Sequence, residues 1–267
     1  MAKAMLIDTS KCTACRGCQV ACKQWNDLPG GETRNRGSYQ NPPQLSINTW
    51  KLVTFNEVSE GEQVRWLFLP MQCVHCTQAS CVSVCPTGAA HYQGEFVVID
   101  QNQCIGCGYC VMACPFGVPH IGAELEEEKA TARKCTFCID RVSNGYIPAC
   151  AKTCPAGAYT FGEREELLVL GQERVEFLKA DGHPNAYLYG ASELGGLHVM
   201  FVLKERPSLY GLPENPRYAT ANVLGQWLGG IITAGLVAAL PFWLLFKRKE
   251  ALAAEKSAEK SEGGKAR

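Results

Sequence analysis

The sequence has no surplus of either charge: 26 Lys and Arg stand against 26 Asp and Glu, a formal net charge of zero. Without a basic excess to neutralise phosphates, nucleic acid is excluded as a partner. There is no Walker-type phosphate loop and no G-x-G-x-x-G stretch. No nucleophile–base constellation can be assembled, so substrate chemistry of the chain's own is not expected. The five histidines, His75, His91, His120, His183 and His198, are scattered without metal-ligand spacing. Residues 1–10 hold only a short apolar patch, Ala4 to Ile7, with no long hydrophobic core of a secretion signal. The expectation is a chain that stays in the cytoplasm or crosses a membrane folded, carried by a partner with a signal.

Cysteine is abundant instead, and none stands alone. The 16 cysteines form four quartets: Cys12, Cys15, Cys18, Cys22; Cys73, Cys76, Cys81, Cys85; Cys104, Cys107, Cys110, Cys114; and Cys135, Cys138, Cys150, Cys154. Each opens C-x2-C and closes C-x3-C, and Pro86, Pro115 and Pro155 follow three of them. The third reads C-x2-C-x2-C-x3-C-P, the bacterial ferredoxin run for a 4Fe–4S cluster. Three thiolates line a tight turn and reach one cubane; the fourth points away to a second cluster. Gly106 and Gly108 let the backbone pass close to the inorganic core. Sixteen thiolates suffice for four 4Fe–4S clusters. A disulfide framework belongs to small secreted domains. Zinc ribbons use C-x2-C pairs without this third and fourth cysteine; a zinc site or one altered cluster stays open.

In paired ferredoxin runs the fourth cysteine serves the partner cluster. Cys12, Cys15, Cys18 and Cys154 are therefore expected on one cluster, and Cys135, Cys138, Cys150 and Cys22 on a second. Cys73, Cys76, Cys81 and Cys114 form a third set, and Cys104, Cys107, Cys110 and Cys85 a fourth. The fold class is α+β: two ferredoxin-like units, one inserted in the other, followed by one transmembrane helix. The expected division is residues 1–25 with 130–162, an inserted loop and hairpin over 26–70, the second unit over 71–122, and a helix and strand over 163–206. A linker follows over 207–222.

Leu6-Ile7-Asp8 before Cys12 is echoed by Val98-Ile99-Asp100 before Cys104, a repeat of strand and quartet. Residues 26–44 are a polar loop in which Arg34, Asn35 and Arg36 read as solvated. Leu45, Ile47, Thr49, Lys51 and Val53 alternate with Ser46, Asn48, Trp50 and Leu52, and Val64 to Leu69 returns, so 45–69 is expected as a hairpin turning at Ser59-Glu60-Gly61. Glu124 to Arg133 is expected as an exposed charged loop or short helix, with Glu126-Glu127-Glu128 in solvent. Glu163 to Ala180 is expected as an amphipathic helix with Leu168, Gly171, Val175 and Leu178 on one face. His75 lies beside a cluster and is read as packing or an outer hydrogen bond, since the cysteines already complete the ligand count.

Val223 to Phe246 contains no charged residue, and its 24 residues exceed the ~20 needed to cross a bilayer. Trp227 and Trp243 lie near its ends, and Gly225, Gly229, Gly230 and Gly235 offer a close-packing face. Lys247-Arg248-Lys249 follow at once. The positive-inside rule puts the carboxy terminus in the cytoplasm and the cluster domain on the periplasmic side of the inner membrane. The Lys/Glu-rich tail over 247–267 is expected to be disordered.

The quartets, the interposed hairpin and the single carboxy-terminal helix resemble the iron–sulfur β subunits of respiratory molybdenum or tungsten oxidoreductases. The chain is most similar to the formate dehydrogenase β subunit. Carrying the resemblance are Cys12 to Asn26, Cys104 to Cys110, Lys134 to Val142, Pro148 to Pro155, and Gly195-Gly196-Leu197-His198-Val199-Met200. The quartets are shared with relatives serving nitrate, dimethyl sulfoxide, polysulfide and hydrogenase enzymes, which stay open as alternatives. The resemblance implies a non-catalytic electron-transfer subunit of anaerobic respiration. Its implied partners are a molybdopterin-containing α subunit with a twin-arginine signal and a membrane cytochrome b γ subunit linked to quinone. A stand-alone ferredoxin-like enzyme and a structural zinc protein are the readings from other classes.

Overall fold

The structure, a computed structural model, describes residues 2–61, 63–123 and 129–263. It divides into two units, Met1–Ala219 and Thr220–Arg267. In chain order the first holds β1 (Lys3–Asp8), α1 (Gly17–Trp25), β2 (Leu52–Glu60), β3 (Gln63–Met71), α2 (Ser80–Ser83), β4 (Ala90–Gln93), β5 (Phe96–Ile99), α3 (Tyr109–Ala113), β6 (His120–Gly122) and β7 (Thr131–Arg133). It continues with α4 (Ile139–Val142), α5 (Ala149–Lys152), β8 (Tyr159–Glu163), α6 (Arg164–Ala180), β9 (Tyr187–Tyr189) and β10 (Val199–Leu203).

Four strands form one sheet in the order β8-β1-β10-β9. Strand β1 runs parallel to β10, with Met5 opposite Val199, and antiparallel to β8. Both central strands are continuous apolar runs because both faces of the sheet are covered. The period of two then sorts their side chains. Ala4, Leu6, Met200 and Val202 pack under α6 against Leu167, Val175 and Leu178. Met5, Ile7, Val199, Phe201 and Leu203 face the opposite way, into a core with Leu67, Leu69, Phe96, Phe137, Cys18 and Cys150. Burying each such large apolar side chain contributes about 1.5–3 kcal/mol. One sheet thus carries a structural face and a face on which the cysteines gather.

Helix α6 buries Leu167, Gly171, Val175 and Leu178. The stripe starts at Leu167, not at the expected Leu168, which is only partly buried. A Cβ at Gly171 would stand 2.7 Å from Leu188 Cδ1, so glycine sets how closely the helix lies on the sheet. Asp8 ends β1 by accepting from the Ser10 N–H at 3.0 Å and pairs with Arg174 of α6 at 2.8 Å.

The hairpin is β2–β3, and its first strand begins at Leu52 rather than 45. Residues 45–49 instead close a tight turn in which Ser46 and Thr49 exchange backbone hydrogen bonds and the Asn48 N–H donates to Ser46 Oγ. Hydroxyl-to-backbone bonding of this kind competes with strand pairing. The expected Glu126-Glu127-Glu128 segment lies outside the described residues.

The second unit is α7 (Val223–Gly263), which contains Pro241. Within it Gly225–Ala254 is long and apolar enough to cross a membrane, with mean hydropathy 2.0 over an 18-residue window. The tail expected to be disordered is helical as far as Gly263, because its Ala, Glu and Lys are strong helix formers.

Candidate metal centres

All four quartets fold through the same turn. The residue before the second cysteine is left-handed in each: Ala14 (φ 54), His75 (φ 46), Gly106 (φ 70) and Phe137 (φ 62). Only one of the four is glycine. The left-handed region costs an L-residue about 1–2 kcal/mol, so its recurrence shows that the surroundings over-determine the turn. A second left-handed residue precedes the next helix in three quartets: Arg16 before α1, Gly108 before α3 and Cys138 before α4. Such alternation curls the chain into a concavity that points backbone N–H groups inward, the geometry that holds anions and iron–sulfur clusters. At Gly106 the space is already taken: a Cβ there would collide with the Ala130 carbonyl oxygen.

The thiols gather in four groups. Cys22, Cys135, Cys138 and Cys150 line a cavity holding about 340 Å³ of empty space, walled also by Asn26, Gln72 and Phe137. Cys85, Cys104, Cys107 and Cys110 line a second of about 330 Å³. The thiol neighbours of Cys76 are Cys73, Cys114 and Cys81. Those of Cys12 are Cys18 and Cys154. In every group the last cysteine of one quartet joins cysteines of another, because α1 packs on α5 and α2 on α3.

The groups form a line. Cys22 and Cys150 neighbour Cys18, Cys135 neighbours Cys73, and Cys81 neighbours Cys110. Cys15 and Cys107 are the two exposed cysteines of the sixteen, and Cys107 lies in the end group with Cys85, Cys104 and Cys110.

The thiols and their hydrogen bonds suit a cluster. Burial, reinforced by the Cys150 and Cys138 thiols, pushes Cys22 up to about 12. Burial likewise takes Cys81 to about 12 and Cys110 and Cys138 to about 11. Such thiols stay protonated at neutral pH until a metal displaces the proton. At Cys85 burial acts upward, but hydrogen bonds from Ala90, Thr87 and Ala89 outweigh it and leave the thiol lowered. Donors already face the sulfurs: Ala90 N–H to Cys85 and Ala132 N–H to Cys104 at 3.3 Å, Phe137 N–H to Cys135 and Ala158 N–H to Cys154 at 3.4 Å. Among the described residues no three His, Cys, Asp or Glu side chains converge on a point that one ion would fill. Thiols spaced around a cavity suit a cluster better than a single tetrahedral zinc.

His75 is fully buried, and its Nδ1 accepts from the Val97 N–H at 3.2 Å, while Phe96 and Phe137 meet its ring edge-on. Burial and the Lys134 charge lower its basicity. It packs and orders the loop between Cys73 and Cys76. Sequence reading passed over three buried polar residues beside the thiols, Lys51, Gln72 and Lys134, and the half-buried Tyr159. The one local signal was Lys51, a lysine on the apolar phase of an alternating stretch.

Two families described as 4Fe-4S dicluster domain match the chain, one over residues 11–89 and one over 64–164. Two dicluster domains hold four clusters. The chain is 44% identical over 218 residues to the iron–sulfur subunit of formate dehydrogenase-O of Escherichia coli, covering 80% of this chain and 71% of the relative. To the iron–sulfur subunit of the nitrate-inducible formate dehydrogenase of the same organism it is 41% identical, covering 88% and 81%. It is also 39% identical to formate dehydrogenase 2 subunit beta (cytochrome c-553) of Nitratidesulfovibrio vulgaris, covering 77% of this chain and 96% of that one.

Proposed function

The chain belongs to the iron–sulfur subunits of formate dehydrogenase, and from that premise we propose which cysteines hold each cluster and how the chain is wired. It is an electron-transfer subunit carrying four 4Fe–4S clusters. The ligand sets are Cys12, Cys15, Cys18 and Cys154; Cys22, Cys135, Cys138 and Cys150; Cys73, Cys76, Cys81 and Cys114; and Cys85, Cys104, Cys107 and Cys110. The observation that carries this is the gathering of the thiols into four groups that each mix two quartets. The same grouping supports one ferredoxin-like unit, 71–122, inserted between the halves 1–25 and 130–162 of the other.

When bound, the clusters supply one-electron carriers. The protein holds them in file, keeps water from most ligands and leaves Cys15 and Cys107 at the surface as the two ends. In this reading the chain relays electrons and the formate chemistry lies elsewhere. A molybdopterin-containing catalytic subunit oxidises formate and meets one end; a membrane cytochrome b linked to quinone takes electrons from the other. Helix α7 crosses the inner membrane, and Lys247-Arg248-Lys249 keep its carboxy-terminal end in the cytoplasm, with the cluster body periplasmic.

Cys107→Ala in the complex isolated from its membrane is expected to lose one cluster. Formate oxidation with artificial acceptors survives while quinone reduction stops. Quinone reduction at the wild-type rate in that variant would refute the single file. Anaerobic formate is expected to bleach the iron–sulfur absorbance promptly. Clusters reduced by dithionite but not by formate would overturn the assignment of the donor.

A further inference from the structure

Two buried polar side chains, Lys51 and Gln72, and the half-buried Tyr159 with its hydroxyl buried lie beside the thiols of the groups around Cys12 and Cys22. Lys51 is 2% exposed. Its Nζ donates to Gln72 Oε1 at 2.5 Å and to the Pro70 carbonyl at 3.4 Å, and stands 4.6 Å from the centre of the Tyr159 ring. All three contacts fit an ammonium: two acceptors and one π face. Among the described residues no carboxylate lies within ion-pair distance of it. A buried cation without an anion is unfavourable. The anions have to come from elsewhere, and the thiols of Cys12, Cys22 and Cys150, on which the lysine acts, are groups able to carry negative charge.

Gln72 and Tyr159 complete the arrangement. Gln72 is 1% exposed and lines the cavity of Cys22, Cys135, Cys138 and Cys150, where its Nε2 has no partner. Its Oε1, which holds Lys51, is 4.0 Å from Cys150 Sγ. The Tyr159 hydroxyl is also buried without an oxygen or nitrogen partner, beside Cys18, Cys150 and Cys12. One acceptor and one ring therefore fix the ammonium between two thiol groups, while the Tyr159 hydroxyl meets the Cys18 thiol and the Gln72 Nε2 is left without a partner.

We propose that Lys51, held by Gln72 and Tyr159, is the internal counter-ion shared by the two clusters of the outer ferredoxin-like unit. It sets their potentials together. A reduced cluster carries one more negative charge than an oxidised one, so a fixed positive charge beside both favours reduction of both. It is a positioning and tuning residue, not a ligand. The other buried lysine, Lys134, donates to the Val97 and Cys135 carbonyls and acts on Cys81 and Cys114, so the inner group of Cys73, Cys76, Cys81 and Cys114 has a cation of its own. The proposal rests on the ligand sets given above.

The test is a potentiometric titration of the purified complex followed by electron paramagnetic resonance, with iron content measured on the same samples. In Lys51→Met, two clusters should keep their iron and become harder to reduce by at least tenfold each, a 59 mV fall for a one-electron couple. The other two should hold within that margin, and Lys51→Arg should restore wild-type values. Should Lys51→Met fail to assemble, Gln72→Glu places a carboxylate against the ammonium and should lower the same two potentials. Four unchanged potentials in whichever variant assembles, or four that move alike, would overturn the proposal. Cys12→Ser and Cys154→Ser identify the signals: both should alter the same cluster, and it should be one that responds to Lys51. If they alter different clusters, the ligand sets fail while the Lys51 titration still reads the lysine.

Discussion

Gly106→Ala separates two ways a single methyl group can damage a cluster loop. The first is backbone conformation. Gly106 is left-handed (φ 70), which costs an L-residue about 1–2 kcal/mol, partly offset by the 0.4–1 kcal/mol or so that alanine removes from unfolded-chain entropy. Ala14 occupies the equivalent place in the first quartet at φ 54, so this conformation alone is tolerated by alanine in this protein. The second is collision with the Ala130 carbonyl oxygen, which belongs to backbone and cannot swing aside. Ala130 leads directly into β7, whose Ala132 N–H donates to Cys104 Sγ at 3.3 Å. Moving it weakens a hydrogen bond to a charged sulfur, worth about 1.5–3 kcal/mol. Together the two effects come to about 2–4 kcal/mol, or roughly 30- to 1,000-fold in the equilibrium holding that cluster. Gly108→Ala is the control: it is also left-handed (φ 85), but its Cβ would meet only Ile121 Cδ1 at an ordinary 3.7 Å, leaving about 1 kcal/mol. The assay is iron release to a chelator from the intact complex, with clusters counted by electron paramagnetic resonance. Gly106→Ala should lose one cluster in four; Gly108→Ala should retain all four. Equal behaviour of the two variants would refute the collision argument.

Phe137→Ala should be costly for another reason. Phe137 is buried, stacks on Phe96 at 4.0 Å between ring centres and walls the cavity of Cys22, Cys135, Cys138 and Cys150. Large-to-small changes of this kind cost about 3–5 kcal/mol, so iron from that group should be released first in a urea series; release in step with the other groups would argue against a local role. Ending the chain after Ala219 should leave the cluster body folded, since Met1–Ala219 is a unit by itself, and should move it from the membrane fraction to the soluble one. A truncated chain that stays with the membranes would show that α7 is not its main attachment.

What was legible in the sequence was what local spacing encodes. The quartets announce themselves, α6 and α7 follow from apolar period and run length, and β1 and β10 from short apolar runs. The start of the hairpin is not legible because alternation over 45–53 looks like a strand, whereas Ser46 and Thr49 divert the backbone into a turn. The parallel pairing of β1 with β10 leaves no local trace. Nor do the left-handed residues Ala14, His75 and Phe137: glycine advertises such a position, but these side chains are held there by tertiary surroundings. Lys51 belongs to the same class, since its meaning depends on thiols contributed by Cys12, Cys22 and Cys150, from both ends of the body.

That long-range sheet also bears on how the molecule is made. Met5 pairs with Val199, so β1 waits for roughly 190 more residues to be translated, about 10–40 s at ordinary rates of synthesis. Through that interval Cys12, Cys15 and Cys18 have left the ribosome without the strand that fixes their loop and, for most of it, without Cys154. The inner groups draw no thiol from beyond Cys114 and are walled by residues as near as Ala132. Assembly order is therefore inverted with respect to chain order: the cysteines born first are enclosed last, and any machinery that loads iron has to keep them reduced in the meantime.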